Sequence, residues 1–300
     1  VNKILVILNP AARGDRAKGL RQTISKLSLR ATVRTTSGPG DAEALAERGV
    51  EQGYKTIVAA GGDGTVNEVV NGIAEADVNF GILPVGTMNV FALELGLPMN
   101  NLAAAWKVIE HGHTRRIDLP KANDEYFVQL AGIGLDAEVV RQTSRDSKRA
   151  LGPLSYIVSL ANVAAQKPPR IHLETNSGLK YEGCFALIGN GRFYGGPFEM
   201  FKKASIDDGL LDIVVFKNQS HWDAIRYMQG LLFGTHARFP DVEYVQAEAV
   251  DVTSPGSVPI ELDGELAGAL PCRFEMAKHP LYVLSKSGKR ARLDKKAGGR

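Results

Sequence analysis

Thr56-Ile57-Val58-Ala59-Ala60-Gly61-Gly62-Asp63-Gly64-Thr65-Val66-Asn67-Glu68 passes from a β-branched apolar run, through a glycine-rich loop, into an amphipathic stretch. Thr56 to Ala60 reads as a buried strand and Thr65 to Ala74 as a helix. Glycines at such a junction let the backbone take positive φ and approach a ligand closely. The N–H groups at the start of the following helix favour phosphate oxygens. Asp63, inside the loop, would repel a bare phosphate. It fits there when a divalent cation intervenes or when it orients a ribose or another group, a combination that points to a metal-nucleotide. The bland alternative is a tight turn in which Asp63 or Thr65 merely caps the helix.

The same alternation continues outward on both sides. Ile4 to Leu8, Ala31 to Thr35 and Phe80 to Leu83 read as strands; Arg16 to Leu27, Asp41 to Gln52 and Thr87 to Leu95 carry apolar residues at helical spacing. Strand and helix in strict alternation imply a parallel sheet covered on both faces. The loop with Asn9, Pro10, Arg13 and Gly14, the glycine loop, and Pro84-Val85-Gly86-Thr87-Met88-Asn89 then emerge along one edge, where open α/β sheets bind ligands. After Asp118 the texture changes. Tyr126 to Ile133, Ile171 to Thr175, Cys184 to Ile188, Leu211 to Phe216, Val242 to Thr253, Val258 to Leu262 and Cys272 to Met276 are strand-like, with helical patterns at 136 to 165 and 221 to 236. This half reads as β-rich and largely antiparallel. The expected division is an α/β domain at 1–122, a β-sandwich domain at 123–285 and a basic tail at 286–300.

Composition narrows the classes. Three hundred residues, 44% of them hydrophobic, suffice for about two domains. Two cysteines, Cys184 and Cys272, offer no repeated CxxC spacing, which suggests a reducing cytosol and no structural zinc. Ile4 to Leu8 is too short for a signal peptide's apolar region, and the uncharged stretch at 150–166 is interrupted by polar residues, so a cytoplasmic protein without a membrane span is expected. A net charge of +3 does not argue for nucleic acid. It divides unevenly: Lys286 to Arg300 holds seven basic residues and one acid, net +6, and the rest holds 29 basic and 32 acidic residues, net −3. Such a tail is either a solvated terminus or a contact for anionic headgroups at the inner face of a membrane. No GxxxxGK[ST] is present, and Gly132-Ile133-Gly134-Leu135-Asp136-Ala137, although it matches GxGxxA, lacks a βαβ setting. Trp222, Ile225, Met228 or Gln229 and Leu232 share a helical face that reads as core, with a lipid-facing surface as the alternative.

Gly61-Gly62-Asp63-Gly64-Thr65 with Asn67-Glu68, Pro84 to Asn89, Gly132 to Ala137, Asp207-Asp208-Gly209-Leu210-Leu211-Asp212 and Leu262-Asp263-Gly264-Glu265, in that order, resemble the diacylglycerol kinase catalytic family. That family includes bacterial soluble lipid kinases and the sphingosine and ceramide kinases. The resemblance runs from Asn9 to about Leu284. GGDGT alone is shared with NAD kinases; PxGTxN and LDGE narrow the match. It implies a Rossmann-like nucleotide domain followed by a β-sandwich, with ATP in the cleft between them. It further implies ATP contacts from Asn9, Thr36, Gly61, Gly62, Asp63, Gly64, Thr65, Val66, Asn67, Glu68 and Thr87, and catalysis by Glu265 with Asp63. A Mg²⁺ site, with Ca²⁺ as an alternative ion, would use the carbonyls of Ser205 and Leu210 and the carboxylate of Asp208; Asp118 matches a recurrent acidic position. Two departures stand out: Val90 follows Asn89 where many members carry Asp, and the first loop reads NPAARG, which leaves Arg13 and Lys18 as candidates only.

Phosphoryl transfer needs positioning and charge neutralisation, so a phosphate cradle, a cation and one base are the expected parts. A carboxylate can accept the proton of an aliphatic hydroxyl as the bond to phosphorus forms. Asp263-Gly264 would supply the turn that aims Glu265; the bland alternative there is a solvated glutamate in a β-turn. The expected activity is an ATP-dependent kinase acting on the hydroxyl of a lipid at the membrane surface, diacylglycerol, phosphatidylglycerol or similar. An NAD kinase-like enzyme of soluble metabolites and a non-catalytic nucleotide- or lipid-binding protein are the competing readings. The sequence does not yield an oligomeric state.

Overall fold

A computed structural model describes residues 3–11, 31–142 and 168–286. The helix expected at Arg16 to Leu27, Arg13, Lys18, most of the helical stretch at 136–165 and nearly all of the basic tail lie outside them. The amino-terminal alternation becomes a sheet in which β1 (Ile4–Leu8), β2 (Thr32–Thr35), β3 (Thr56–Gly61) and β4 (Asn79–Pro84) run parallel in the order β2-β1-β3-β4. β3 is buried at every position, as a central strand covered on both faces must be. The helices between and after these strands are α1 (Asp41–Glu51), α2 (Asp63–Asn71), α3 (Val90–Glu94) and α4 (Leu102–His111). Ala105, Trp106 and Ile109 of α4 fill one face of the sheet against Val6, Val58 and Leu83. Beyond β4 the sheet continues with β20 (Leu281–Ser285), parallel to β4, and then β5 (His113–Ile117), antiparallel to β20. The strand order reverses between β1 and β3: the chain leaves β1 to one side for β2 and returns to β3 on the other.

The second compact unit holds two antiparallel sheets. One runs β10 (Lys180–Gly183), β9 (Ile171–Thr175), β16 (Ala249–Thr253), β19 (Cys272–Met276), β6 (Pro120–Ala122), β7 (Glu125–Tyr126). The other runs β15 (Val242–Ala247), β14 (Leu211–Phe216), β11 (Phe185–Gly189), β8 (Leu130–Ile133), β17 (Pro259–Leu262), β18 (Glu265–Ala269). β12 (Phe193–Tyr194) and β13 (Phe198–Glu199) pair separately. Side chains from both large sheets, among them Ile133, Ile213, Ile260, Leu173, Val252 and Phe274, form one core. The reverse face of the second sheet, with Leu187, Val214 and Phe216, packs on Val139 of α5 (Leu135–Gln142) and on Tyr227 and Leu231 of α6 (His221–Leu232). β14 is therefore buried at all six positions.

Several expectations shift. Beside the expected division at 122/123, chain contacts group residues up to Ile117, Gly195–Pro197 and residues from His279 in one compact unit, because Leu281–Ser285 finds its strand partners in β4 and β5. Tyr126 to Ile133 is not one strand; it breaks at Phe127–Gln129, where a carboxylate takes backbone N–H groups. Val242 to Thr253 splits at Glu248, where the chain crosses from one sheet to the other. The helix expected from Thr87 starts only at Val90, since Asn89 is left-handed (φ 50°). α4, β5 and β10 were not anticipated. Among the described residues no helix is long and apolar enough to cross a membrane.

Candidate active site

Three loops meet at the carboxyl edge of the first sheet, beside the switch between β1 and β3. Gly61 closes β3, and Gly62, in extended conformation, stands at the cap position of α2 and offers no side chain to its amino end. The first N–H groups of a helix lack partners within it and favour anionic oxygens. Asn9, just past β1, donates from Nδ2 to Thr65 Oγ1 at 3.0 Å, and the Val85 and Gly86 N–H groups donate to the Gly61 carbonyl at 3.2 and 3.1 Å. Asp63 Oδ1 accepts the Val90 N–H at 2.7 Å. Neither Asp63 nor Thr65 caps α2, as the bland reading required; Asp63 instead holds the first N–H of α3.

Glycine is required at two of these positions for contact rather than for φ. A Cβ on Gly86 would lie 2.3 Å from Gly62 Cα, and one on Gly61 would lie 2.4 Å from the Thr65 side chain. The two loops thus touch backbone to backbone, leaving a cradle lined by peptide groups. Asn89, wholly buried, donates to the Gly86 carbonyl at 2.7 Å, while its Oδ1 finds no partner among the described residues. Thr36, buried at the end of β2, and Thr87, exposed in the β4–α3 loop, lie at the same sheet edge. Val66 turns into the core with its N–H on Gly62, Asn67 bonds Asn71, and Glu68 Oε2 accepts the Ala42 N–H in the first turn of α1 at 3.1 Å. These last three brace the loop from behind.

In the second unit Leu262-Asp263-Gly264-Glu265 forms a two-residue hairpin, with Leu262 paired to Glu265 and positive φ at both Asp263 (49°) and Gly264 (91°). Asp-Gly suits this turn because both central residues must be left-handed. Asp263 does more than turn the chain: its carboxylate accepts the N–H groups of Val128, Gln129 and Leu130 at 2.8, 2.9 and 3.0 Å. Glu265 opens β18 and is exposed. Behind it Glu261, 1% exposed, accepts the Gly264 N–H at 2.6 Å, close to Asp136, whose carboxylate takes the Tyr194 hydroxyl at 2.6 Å. A Cβ on Gly132 would sit 2.6 Å from oxygens of both acids. The first glycine of the GxGxxA match therefore makes room for a carboxyl pair, in an antiparallel sheet unlike a dinucleotide fold. Burial and the neighbouring Asp136 push Glu261 well above the usual carboxylate range, and burial raises Asp136 as well.

The loop proposed for a cation holds its shape through its own Asp207 and Asp208 and through Asp118 from outside it. Ser205 Oγ donates to Asp207 at 2.6 Å, the Leu210 N–H donates to Asp208 at 3.1 Å and the Gly209 N–H donates to Asp118 at 2.7 Å. Asp212, wholly buried below, is pushed up to about 6 mainly by burial, against hydrogen bonds from Tyr244 and Gln246 and with help from Asp208. Among the described residues no three or more His, Cys, Asp or Glu side chains are grouped to hold a metal. The donors named for the ion are one carboxylate and two main-chain carbonyls, hard oxygens that suit Mg²⁺ or Ca²⁺ when water completes the shell.

Sequence reading missed Asp136, Glu261 and Asn89. Glu261 looks like an outward polar residue between Ile260 and Leu262, and only the cover on both faces of its sheet buries it. Asn89 carried a usable signal, since asparagine tolerates the left-handed conformation.

Residues 3–122 match the family described as the diacylglycerol kinase catalytic domain, and residues 130–285 match the YegS C-terminal NAD kinase beta sandwich-like domain. The chain is 30% identical over 297 residues to a diacylglycerol kinase of Bacillus subtilis (strain 168), covering 96% of this chain and 98% of that one. It is 32% identical over 266 residues to a diacylglycerol kinase of Staphylococcus saprophyticus, covering 87% of each. A crystal structure of a diacylglycerol kinase from Bacillus anthracis superposes with a TM-score of 0.77 at 27% identity, covering 95% of this chain and 97% of that one.

Proposed function

The chain belongs to the diacylglycerol kinase family, and from that premise we propose that it transfers the γ-phosphate of ATP to the hydroxyl of a membrane lipid, diacylglycerol, phosphatidylglycerol or similar. Membership makes it a lipid-kinase phosphotransferase with an alcohol acceptor. The observation that carries the nucleotide assignment is the meeting of the Asn9, Gly61–Thr65 and Gly86–Asn89 loops beside the switch between β1 and β3. Ligands of open α/β sheets bind at that point. Peptide N–H groups at the start of α2 would hold phosphate oxygens, with Thr36 and Thr87 at the margin and Asp63 facing the accompanying cation. When bound, ATP and Mg²⁺ supply the phosphoryl group and neutralise its charge. Glu265, presented by the Asp263-Gly264 turn, would take the proton of the lipid hydroxyl as its oxygen bonds to the γ-phosphorus and the bond from that phosphorus to ADP breaks. Ser205, Asp208 and Leu210 would hold a second Mg²⁺, or Ca²⁺, in a structural or regulatory role.

Following labelled phosphate from ATP into organic-phase and aqueous products tests this reading. Glu265→Gln should abolish lipid phosphorylation and leave the melting temperature unchanged, because the side chain is exposed. Asp63→Asn keeps an oxygen for the Val90 N–H and should lose turnover through the missing charge alone. Full activity in Glu265→Gln refutes the base assignment. Label found only in NAD would move the protein to the soluble-metabolite kinases, and label in neither phase would make it a binding protein.

A further inference from the structure

The outward face of α6 is its apolar one. Its inner face, Tyr227, Gly230 and Leu231, is buried in the core beneath the second sheet. On the opposite side stand Trp222 (80% exposed), Ile225 (50%), Met228 (42%) and Leu232 (56%), followed directly by Phe233 (81%). With 3.6 residues per turn these positions, together with Gln229 and the exposed His221, form a single stripe without a lysine, arginine or carboxylate. An amphipathic helix on a water-facing surface places polar residues there. The sequence expectation that this face is core is overturned by its exposure.

The helix is held rigidly, so the stripe is no product of fraying. Ser220 and Asp223 form a reciprocal cap at its start. Arg226 bridges Asp223 at 2.9 Å and also pairs with Asp241, which occupies the acids beside the helix. At the far end the Lys202 ammonium rests on the Gly234 carbonyl next to Phe233, and Arg238, exposed, ends the one-turn helix His236–Arg238 that packs on α6. The stripe thus carries aromatic groups at both ends and basic groups at its carboxyl end, the composition of surfaces that enter the headgroup region of anionic bilayers.

We propose that the α6 stripe is a membrane-docking surface, and that it seats this protein on an anionic phospholipid bilayer. A second copy of the chain is the competing occupant. The basic groups at the carboxyl end of the stripe favour an anionic bilayer, because a second copy would repeat those charges rather than complement them, and each apolar side chain that enters a bilayer adds separately. The inference deepens the lipid-kinase reading and rests on it only for its purpose, because vesicle binding is measured apart from phosphorylation.

The full chain has two tryptophans, and Trp106 is buried, so a change in emission on adding vesicles reports Trp222. With vesicles of equal parts phosphatidylglycerol and phosphatidylcholine, the emission should shift to the blue and be quenched by brominated acyl chains. The double variant Trp222→Ser with Phe233→Ser, at two positions outside the core, should bind these vesicles at least tenfold more weakly by co-sedimentation. It should retain phosphorylation of a dispersed short-chain diacylglycerol while losing it on vesicles. Vesicle affinity within threefold of wild type, or unquenched Trp222, overturns the proposal. So does a wild-type dimer by light scattering that the double variant renders monomeric, which would assign the stripe to a second copy. If no lipid is phosphorylated by either protein while vesicle binding still follows the stripe, the kinase reading fails and the docking surface stands.

Discussion

Asp263 offers the sharpest test of how the catalytic hairpin is built. Its carboxylate is the acceptor for three consecutive backbone N–H groups, Val128, Gln129 and Leu130, in a segment whose residues are all buried. Removing an acceptor leaves each buried donor unsatisfied at about 1–3 kcal/mol, and bonds to an ionised group lie toward the upper end. Asp263→Ala therefore costs about 4 kcal/mol even if water recovers half of the loss, and the left-handed φ of 49° adds about 1 kcal/mol for a residue with a plain Cβ. Asp263→Gly relieves the backbone term and leaves the three donors, so it should be nearly as damaging. Asp263→Asn tolerates the turn and keeps one oxygen for Gln129 and Leu130, but turns an NH₂ toward the Val128 N–H; about 2 kcal/mol is expected. Urea denaturation at neutral pH ranks the three variants. If Asp263→Ala lies within about 1 kcal/mol of wild type, or if Asn and Ala are equivalent, the carboxylate is not the clamp that fixes the turn before Glu265.

Three further outcomes follow from other parts of the molecule. Glu261 and Asp136 are both raised, so the folded chain binds more protons than the unfolded one above the ordinary value near 4.5. Their stability is full below that value and is lost as pH rises through the raised one. Thermal denaturation between pH 5 and 9 should therefore fall with pH more steeply in wild type than in Glu261→Gln, and equal slopes refute the raised carboxyl pair. Gly86→Ala drives a Cβ to 2.3 Å from Gly62 Cα and should cost about 1–3 kcal/mol together with most of the kinase activity. Gly38→Ala, with nothing within 4 Å, is the silent control; comparable activity in the two would dissolve the argument for a backbone cradle. Ending the chain at Ser285 removes the +6 segment beyond it and should weaken co-sedimentation with anionic vesicles at low salt more than at high salt. Identical binding by the two chains would make the tail a solvated terminus.

The parallel sheet was legible because each of its strands is a short β-branched or apolar run followed by a helical period, and because Gly61 to Thr65 marks one junction without ambiguity. Reading failed where partners are remote in sequence. Nothing in Leu281–Ser285 announces that it will pair with Asn79 and Phe80 rather than with the sandwich strands before it. Likewise, Phe127–Gln129 looks continuous with the strand Leu130–Ile133, and only a carboxylate more than 130 residues away takes the N–H groups that would have extended it. For α6 the periodicity was read correctly and the side was not. Two apolar faces on one helix cannot be ranked until the core has chosen between them.

Asp63 and Asp263 share a design that bears on the departure at Val90. Each motif acid binds backbone N–H groups of a distant segment: Asp63 the Val90 N–H through one oxygen, Asp263 those of Val128 to Leu130 through both. An N–H belongs to any residue other than proline, so the contact from Asp63 to position 90 survives whatever side chain stands there. The valine therefore removes an acid from the site without loosening the loop that holds Asp63. A second consequence concerns how substitutions are read. Alanine at Asp63 or Asp263 removes the charge and the bracing together, and lost activity then says nothing about chemistry. Asparagine at Asp63 separates the two, because the amide oxygen can still receive the Val90 N–H while the charge that would face a cation is gone.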